Sequence, residues 1–335
     1  MGNDAAEETD EASRGILLGG AGDRLVSVEP RRLLVLSAMP DRAFDTAPEP
    51  RDPGERPLFL LGFDLEDVRS MIPDGSGYRE AVPRTTALFL ELLARHRMRV
   101  TFFVVGDVAR RYPSLIREIA DAGHEIACHG SDHVPLDRHD RESFRADLER
   151  NRDDLVGAGA PVPVGFRAPI FSLTASAEWA YDVLAERSFL YSSSVLPRSH
   201  PLYGWQRFGE RPVRTDGGVW EIPISTDGVG RLGLPFAGGV YFRVLPLAVV
   251  RRFFATRRSA GDAVVGYLHP YDLDVEQERF LHPGLGERRW MNALMYVNRR
   301  RVLPRLTRLL AEGWRLGCYR DYVKDRLESR TRAGG

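Results

Sequence analysis

Four short segments hold residue types that could do chemistry together. In His129-Gly-Ser-Asp-His133, two imidazoles four residues apart reach one side of a turn and have the spacing of a metal-ligand pair. Two surface histidines on a loop would give the same pattern. In Asp64-Leu-Glu-Asp67, three carboxylates follow an apolar run. Buried together they would repel one another and be costly to bury without a cation. On an extended backbone Asp64 and Glu66 share a face and Asp67 takes the other. A solvated cluster capping the next helix is the plainer alternative. Arg167, in Gly165-Phe-Arg-Ala-Pro169, could clamp a carboxylate through parallel hydrogen bonds and hold it ionised. His269, in Tyr267-Leu-His-Pro270, is placed to act as a general acid near working pH.

The elements that must position these residues are strands. Leu58-Phe-Leu-Leu-Gly-Phe63 and the β-branched and aromatic run 100–105 read as buried strands, as does Glu125-Ile-Ala-Cys128. Further apolar runs lie at 163–166, 219–224 and 264–268. Helical spacing recurs over 84–96, 112–122, 175–187, 246–256 and 301–312. Gly123 is placed to cap the second of these helices. Strands and helices that alternate in this way make a parallel α/β sheet or barrel. All four chemical segments then fall at the C-terminal ends of strands, the rim where active sites collect in such barrels.

Composition narrows the classes. In 335 residues, 43% are apolar and 28% charged, and 47 basic residues balance 47 acidic ones, so no net field selects nucleic acid. The run Arg299-Arg300-Arg301 reads as a solvated face. Two cysteines, Cys128 and Cys318, make no disulfide framework, and Cys128, alternating with His129, is expected in the core. No apolar stretch reaches 18 residues, so no transmembrane segment is expected. The acidic, polar N-terminus lacks a secretory pattern, and the cytoplasm is the expected compartment. Residues 1–57, with a Pro- and Arg-rich linker, read as a partly disordered arm. The catalytic domain is placed at 58–325.

The ordered motifs Phe63-Asp-Leu-Glu-Asp67, Thr101-Phe-Phe103, His124 through His133, Arg167-Ala-Pro169 and Leu268-His-Pro270 resemble the polysaccharide deacetylase family. This is the NodB-homology group, or carbohydrate esterase family four. Trp220-Glu-Ile-Pro223, Gly239-Val-Tyr-Phe-Arg243 and Tyr296-Val-Asn298 resemble its exopolysaccharide-cluster branch. The resemblance implies an irregular (β/α)7 barrel and a divalent metal, usually Zn2+, held by a carboxylate and two histidines. It implies removal of N-acetyl groups from amino sugars of a glycan. His129 and His133 become metal ligands, and Asp64 becomes the base. The carboxylate ligand is Glu66 by strand phase or Asp67 by residue type. Arg167 would orient Asp64, and His269 would protonate the leaving amine.

This sequence departs from the family pattern at three positions. Gly130 stands where many relatives carry Ser or Thr, Ser192 where an Asp is usual, and Met295 where the branch has His. If the missing Asp tunes the general acid, that tuning is lost or supplied elsewhere. A small-amide hydrolase on the same barrel and a non-catalytic glycan-binding protein are the competing readings. Trp205, Trp220 and Tyr241 are candidates to stack on sugar faces, with Trp220 the best placed for the core. No role is assigned to His96, His139, His200 or His282, and His124 fits a turn better than a place behind the metal ligands.

Overall fold

The computed structural model describes residues 56–200, 203–229, 232–281 and 288–329. The expected N-terminal arm and His282 lie outside the described residues. The strands are β1 (Leu58–Leu65), β2 (Thr101–Val104), β3 (Glu125–Cys128), β4 (Gly165–Phe166), β5 (Tyr191–Ser192), β6 (Val213–Arg214), β7 (Trp220–Glu221), β8 (Asp227–Val229), β9 (Leu232–Leu234), β10 (Val264–Leu268) and β11 (Arg315–Leu316). They pair in the order β10-β1-β2-β3-β4-β5-β7-β6, with β11 also on β1 and β8-β9 a separate hairpin. From β10 to β7 every pairing is parallel, and only β6 joins antiparallel. The chain after β7 then meets β10. Ser225 N donates to Val265 O (3.0 Å), and Val265 N donates to Ser225 Oγ (2.9 Å). The result is the irregular (β/α)7 barrel that the sequence led us to expect.

Strand β1 explains why its sequence is apolar without alternation. All eight of its residues are buried. Phe59, Leu61, Phe63 and Leu65 pack outward against the helices, whereas Leu58 and Leu60 face an inner cluster with Phe103, Ala127, Tyr191, Ile222 and Tyr319. A parallel strand covered on both faces needs such a run. Each fully buried Phe in the outer layer stabilises by about 1.5–3 kcal/mol. Gly62 is required by the inner layer. A Cβ there would run into the Arg167 guanidinium, so the missing side chain makes room for a buried cation.

The helices differ from expectation at several points. The first long helix begins at Val82, with a proline in its first turn. The expected helix over 112–122 is present as Pro113–Asp121, and a separate short helix, Gly106–Arg111, that was not anticipated ends just before Pro113. Helix Arg141–Gly157 was not anticipated, because its charged sequence hides the apolar stripe. A capping box of Asp140 and Ser143 starts it, and it buries Phe144, Leu148, Asn151 and Leu155. Arg299 corrects the expected solvated run. It is buried and donates to Met295 O and Asp274 O, both at 2.8 Å, while Arg300 and Arg301 are exposed. Its guanidinium collects carbonyls that end nearby turns.

Candidate active site

The inward phase of β1 continues past its end. Asp64 and Glu66 therefore enter the C-terminal mouth of the barrel, buried at 2% and 4% exposure. Glu66 N donates to Asp64 O (3.1 Å), a tight turn that keeps the two carboxylates on one side. Asp67 turns away. Its carboxylate accepts from Arg69 N (2.9 Å) and pairs with Arg111 Nη1 (2.8 Å), capping helix Val68–Met71. Strand phase, not residue type, decides which acid reaches the histidines, and Asp67 is withdrawn from the candidate ligands.

His129 leaves β3 inward, and its backbone N donates to Asn151 Oδ1 (3.0 Å). Its Nδ1 lies 2.8 Å from Arg167 O, which accepts its proton and leaves Nε2 free to bind a cation. Burial pushes this imidazole down to about 4, outweighing the pull of Asp64 and Glu66, so it is neutral at working pH. His133 follows on the loop with φ of +56°, its Nε2 2.6 Å from Glu66 Oε2. Gly130, at φ +78°, takes the left-handed turn that brings the chain back, and Asp147 receives Ser131 N beside it. Donor atoms of Glu66, His129 and His133 all lie within 4.8 Å of one another. Burial would raise Glu66, but His133, His269 and His129 outweigh it and hold this carboxylate far below its ordinary range.

The second half of the site is an ion pair inside the barrel. Arg167, fully buried, contacts Asp64 Oδ1 at 2.5 Å through Nη1. Its Nε donates to Ser193 O (3.0 Å), and its Nη2 donates to Ser193 Oγ (3.0 Å) and Tyr319 OH (2.9 Å). The guanidinium also lies 3.9 Å from the Phe103 ring centre. These partners fix the fork against which Asp64 is set. Tyr319 comes from the chain's far end, and nothing in its local sequence marks it.

His269 stands opposite. Its Nε2 is 3.9 Å from Asp64 Oδ2 and 3.7 Å from Glu66 Oε1, and its ring stacks on Tyr271 at 4.5 Å. Nδ1 bonds Asp272 Oδ2 at 2.9 Å, and Asp272 in turn pairs with Arg243 Nε at 2.8 Å, both buried. Burial opposes charge on this ring, but Glu66, Asp272 and Asp64 overcome it and lift His269 to about 9. Asp272 and Arg243 were not picked out as a pair from the sequence. The i,i+3 spacing of His269 and Asp272 across a proline was the available signal. Ser192, by contrast, is buried against Ser194 Oγ (2.7 Å), so the partner of His269 comes from its own loop.

The remaining candidates separate cleanly. Cys128 is buried in the outer layer, its thiol pushed up to about 12 by burial. His124 accepts from Val100 N (3.3 Å) far from the mouth and is pushed down to about 4 by burial and Arg99. Trp220 fills the inner core, and Trp205 packs half-buried against the outer layer. Tyr241, His200 and Met295 line the pocket above the site, a cavity of about 570 Å³. Among the described residues no helix is long and apolar enough to cross a membrane.

Residues 68–184 match the family model described as polysaccharide deacetylase, and residues 193–317 match a domain of unknown function (DUF3473). The first match contains His129, His133 and Arg167, and the second contains His269. Asp64 and Glu66 immediately precede the first. A chitooligosaccharide deacetylase of Rhizobium leguminosarum bv. trifolii is 31% identical over 110 residues, 33% of this chain and 49% of that protein. A second, from Sinorhizobium fredii, is 42% identical over 103 residues, 30% of this chain and 45% of that protein. The chain thus spans about half the length of the curated relatives it matches. A solved Mycobacterium smegmatis structure named for the polysaccharide deacetylases superposes over 85% of this chain and 95% of its own, with a TM-score of 0.56 and 21% identity, which establishes the shared fold.

Proposed function

We propose that this chain, which carries a polysaccharide deacetylase domain of the NodB-homology type, is a metal-dependent hydrolase of N-acyl amino sugars. The observation that carries the reading is convergence. A Glu-His-His cluster with Glu66 and His129 buried, an arginine-clamped aspartate and an aspartate-backed histidine meet at one barrel mouth.

The donor set suits a divalent cation such as Zn2+. One carboxylate and two imidazoles are its ordinary ligands, and His129 is already held neutral with Nε2 free. A cation held by Glu66, His129 and His133 would polarise the amide carbonyl and acidify a water. Asp64, fixed by Arg167, accepts the proton as that water attacks the carbonyl carbon. His269, protonated and 3.9 Å from Asp64, gives its proton to the nitrogen as the C–N bond breaks. Asp272 keeps that proton on Nε2 by accepting from Nδ1. The amide and one water become a carboxylic acid and an amine.

The segments Trp220-Glu-Ile-Pro223, Gly239-Val-Tyr-Phe-Arg243 and Tyr296-Val-Asn298 favour a glycan of exopolysaccharide type. The two cysteines, free and buried, are compatible with the cytoplasm. The reading is tested by acid release from N-acetylated glycans with zinc-loaded protein. Asp64→Asn and His129→Ala should each reduce release by at least about 10²-fold. Undiminished release in Asp64→Asn would remove the base from the mechanism, and release unchanged in His129→Ala would remove the metal centre.

A further inference from the structure

The cavity above the site is lined unlike a sugar cleft. A sugar ring presents hydroxyl groups on most of its edge, and a cleft that takes it buried must supply donors and acceptors for them. Beyond the reacting groups, the described residues that line the 570 Å³ cavity include only a few polar side chains. Tyr241 OH and His200 Nε2 stand 3.5 Å apart, and Arg288 lies at the edge. Tyrosine rings can stack on sugar faces, but aliphatic and thioether groups cannot, and six of these stand among the lining residues beside the aromatic ones. Ile170, Leu196, Val240, Met291, Leu294 and Met295 all line the cavity. Leu196 is buried and the rest are half-buried. Trp290, on the same helix as Met291 and Leu294 (Arg289–Leu294), is 68% exposed at the entrance.

The backbone is strained to build this wall. Ile170 and Phe171 both sit at positive φ, +56° and +55°, directly after Arg167-Ala168-Pro169. A left-handed conformation at a β-branched residue costs of order 1–3 kcal/mol and persists only where the surroundings enforce it. Both strained residues line the cavity. Flexible methionines, moreover, adapt to chains of varied length.

Resting on the reading that the mouth hydrolyses an N-acyl amino sugar, we infer that its substrate is amphiphilic, carrying an alkyl chain of several carbons that lies in this apolar arm. The chain is attached either through the N-acyl group itself or through the sugar's aglycone, and one set of assays separates the two. Zinc-loaded protein is given glucosamine N-acylated with acetyl, butanoyl, hexanoyl and octanoyl groups, and N-acetylglucosamine as its methyl and octyl glycosides. Each buried methylene is worth about fourfold. A steep rise in kcat/KM along the acyl series, tens- to hundreds-fold from acetyl to hexanoyl, assigns the chain to the acyl group. A comparable rise from methyl to octyl glycoside assigns it to the aglycone.

Met291→Gln and Leu294→Gln, which touch none of the reacting groups, should flatten the rise and leave turnover of the methyl glycoside unchanged. Equal turnover across both series overturns the inference while leaving amide hydrolysis standing. If no amide is cleaved at all, calorimetry on the same protein still decides it, comparing octyl with methyl glycoside and N-octanoyl- with N-acetylglucosamine. Binding that is no tighter for the long-chain member of either pair overturns the inference, and binding at least tenfold tighter in one pair, lost in the two variants, supports it.

Discussion

Replacing Asp272 by Asn keeps the shape of the contact with His269 but removes the charge that favours its protonated form. The bond spans 2.9 Å between buried groups. Hydrogen bonds to charged groups are worth about 1.5–3 kcal/mol, which is roughly 1–2 pKa units. In the metal-free chain His269 lies at about 9, because Glu66 and Asp272 overcome burial. Asp272→Asn should therefore bring it to roughly 7–8. Only protonated imidazole can serve as the acid, so the alkaline limb of kcat/KM moves to lower pH by the same 1–2 units. Nuclear magnetic resonance titration of His269 in the metal-free protein gives the shift directly, and the pH profile of the zinc-loaded enzyme gives its consequence. Asp272 also faces the buried Arg243, and leaving that cation unpaired can cost about 3–5 kcal/mol, so thermal denaturation of the variant accompanies both. A folded Asp272→Asn whose His269 titrates as in the parent would refute the coupling.

Three further outcomes follow from the geometry. Zinc at 1,000 times its dissociation constant should stabilise the protein by about 4 kcal/mol. Thermal shift should find this gain lost in Glu66→Gln and kept in Asp67→Asn, whose carboxylate faces Arg111 instead. A Gly62→Ala chain drives a methyl into the Arg167 guanidinium and should lose about 1–3 kcal/mol with most of its activity, read by urea denaturation and acid release. Wild-type stability with Gly62→Ala would contradict the packing described. His124 is held down to about 4 from an ordinary 6.5, so the unfolded chain takes up its proton first as pH falls. Stability from this residue therefore drops between about pH 6.5 and 4, by at most about 3 kcal/mol, and is level below. A His124→Gln variant should have a flatter urea-midpoint profile across that window, and an unchanged slope would discount His124.

What the sequence made legible follows from phase and run length. β1 was readable because a strand buried on both faces has no polar interruption, and its phase carries straight on to Glu66. The strands delivering His129, Arg167 and His269 were short but sat between strong apolar runs. Helix Arg141–Gly157 was missed because charged residues crowd all but one stripe, and with it went Asn151, which holds the His129 backbone. Tyr319 and Arg243 were beyond reach for another reason. Each acts on the site across a long separation in sequence, 152 residues from Tyr319 to Arg167, and no local pattern encodes such a contact. The apolar arm is similar, since its wall gathers residues from four separate segments.

The most direct test of the account measures metal content and acid release in the same preparation of wild type and Asp64→Asn. The account predicts one divalent metal per chain in both, with acid released from an N-acyl amino sugar by wild type and almost none by the variant. Equal release from both, or release from a wild type stripped of metal, would contradict it.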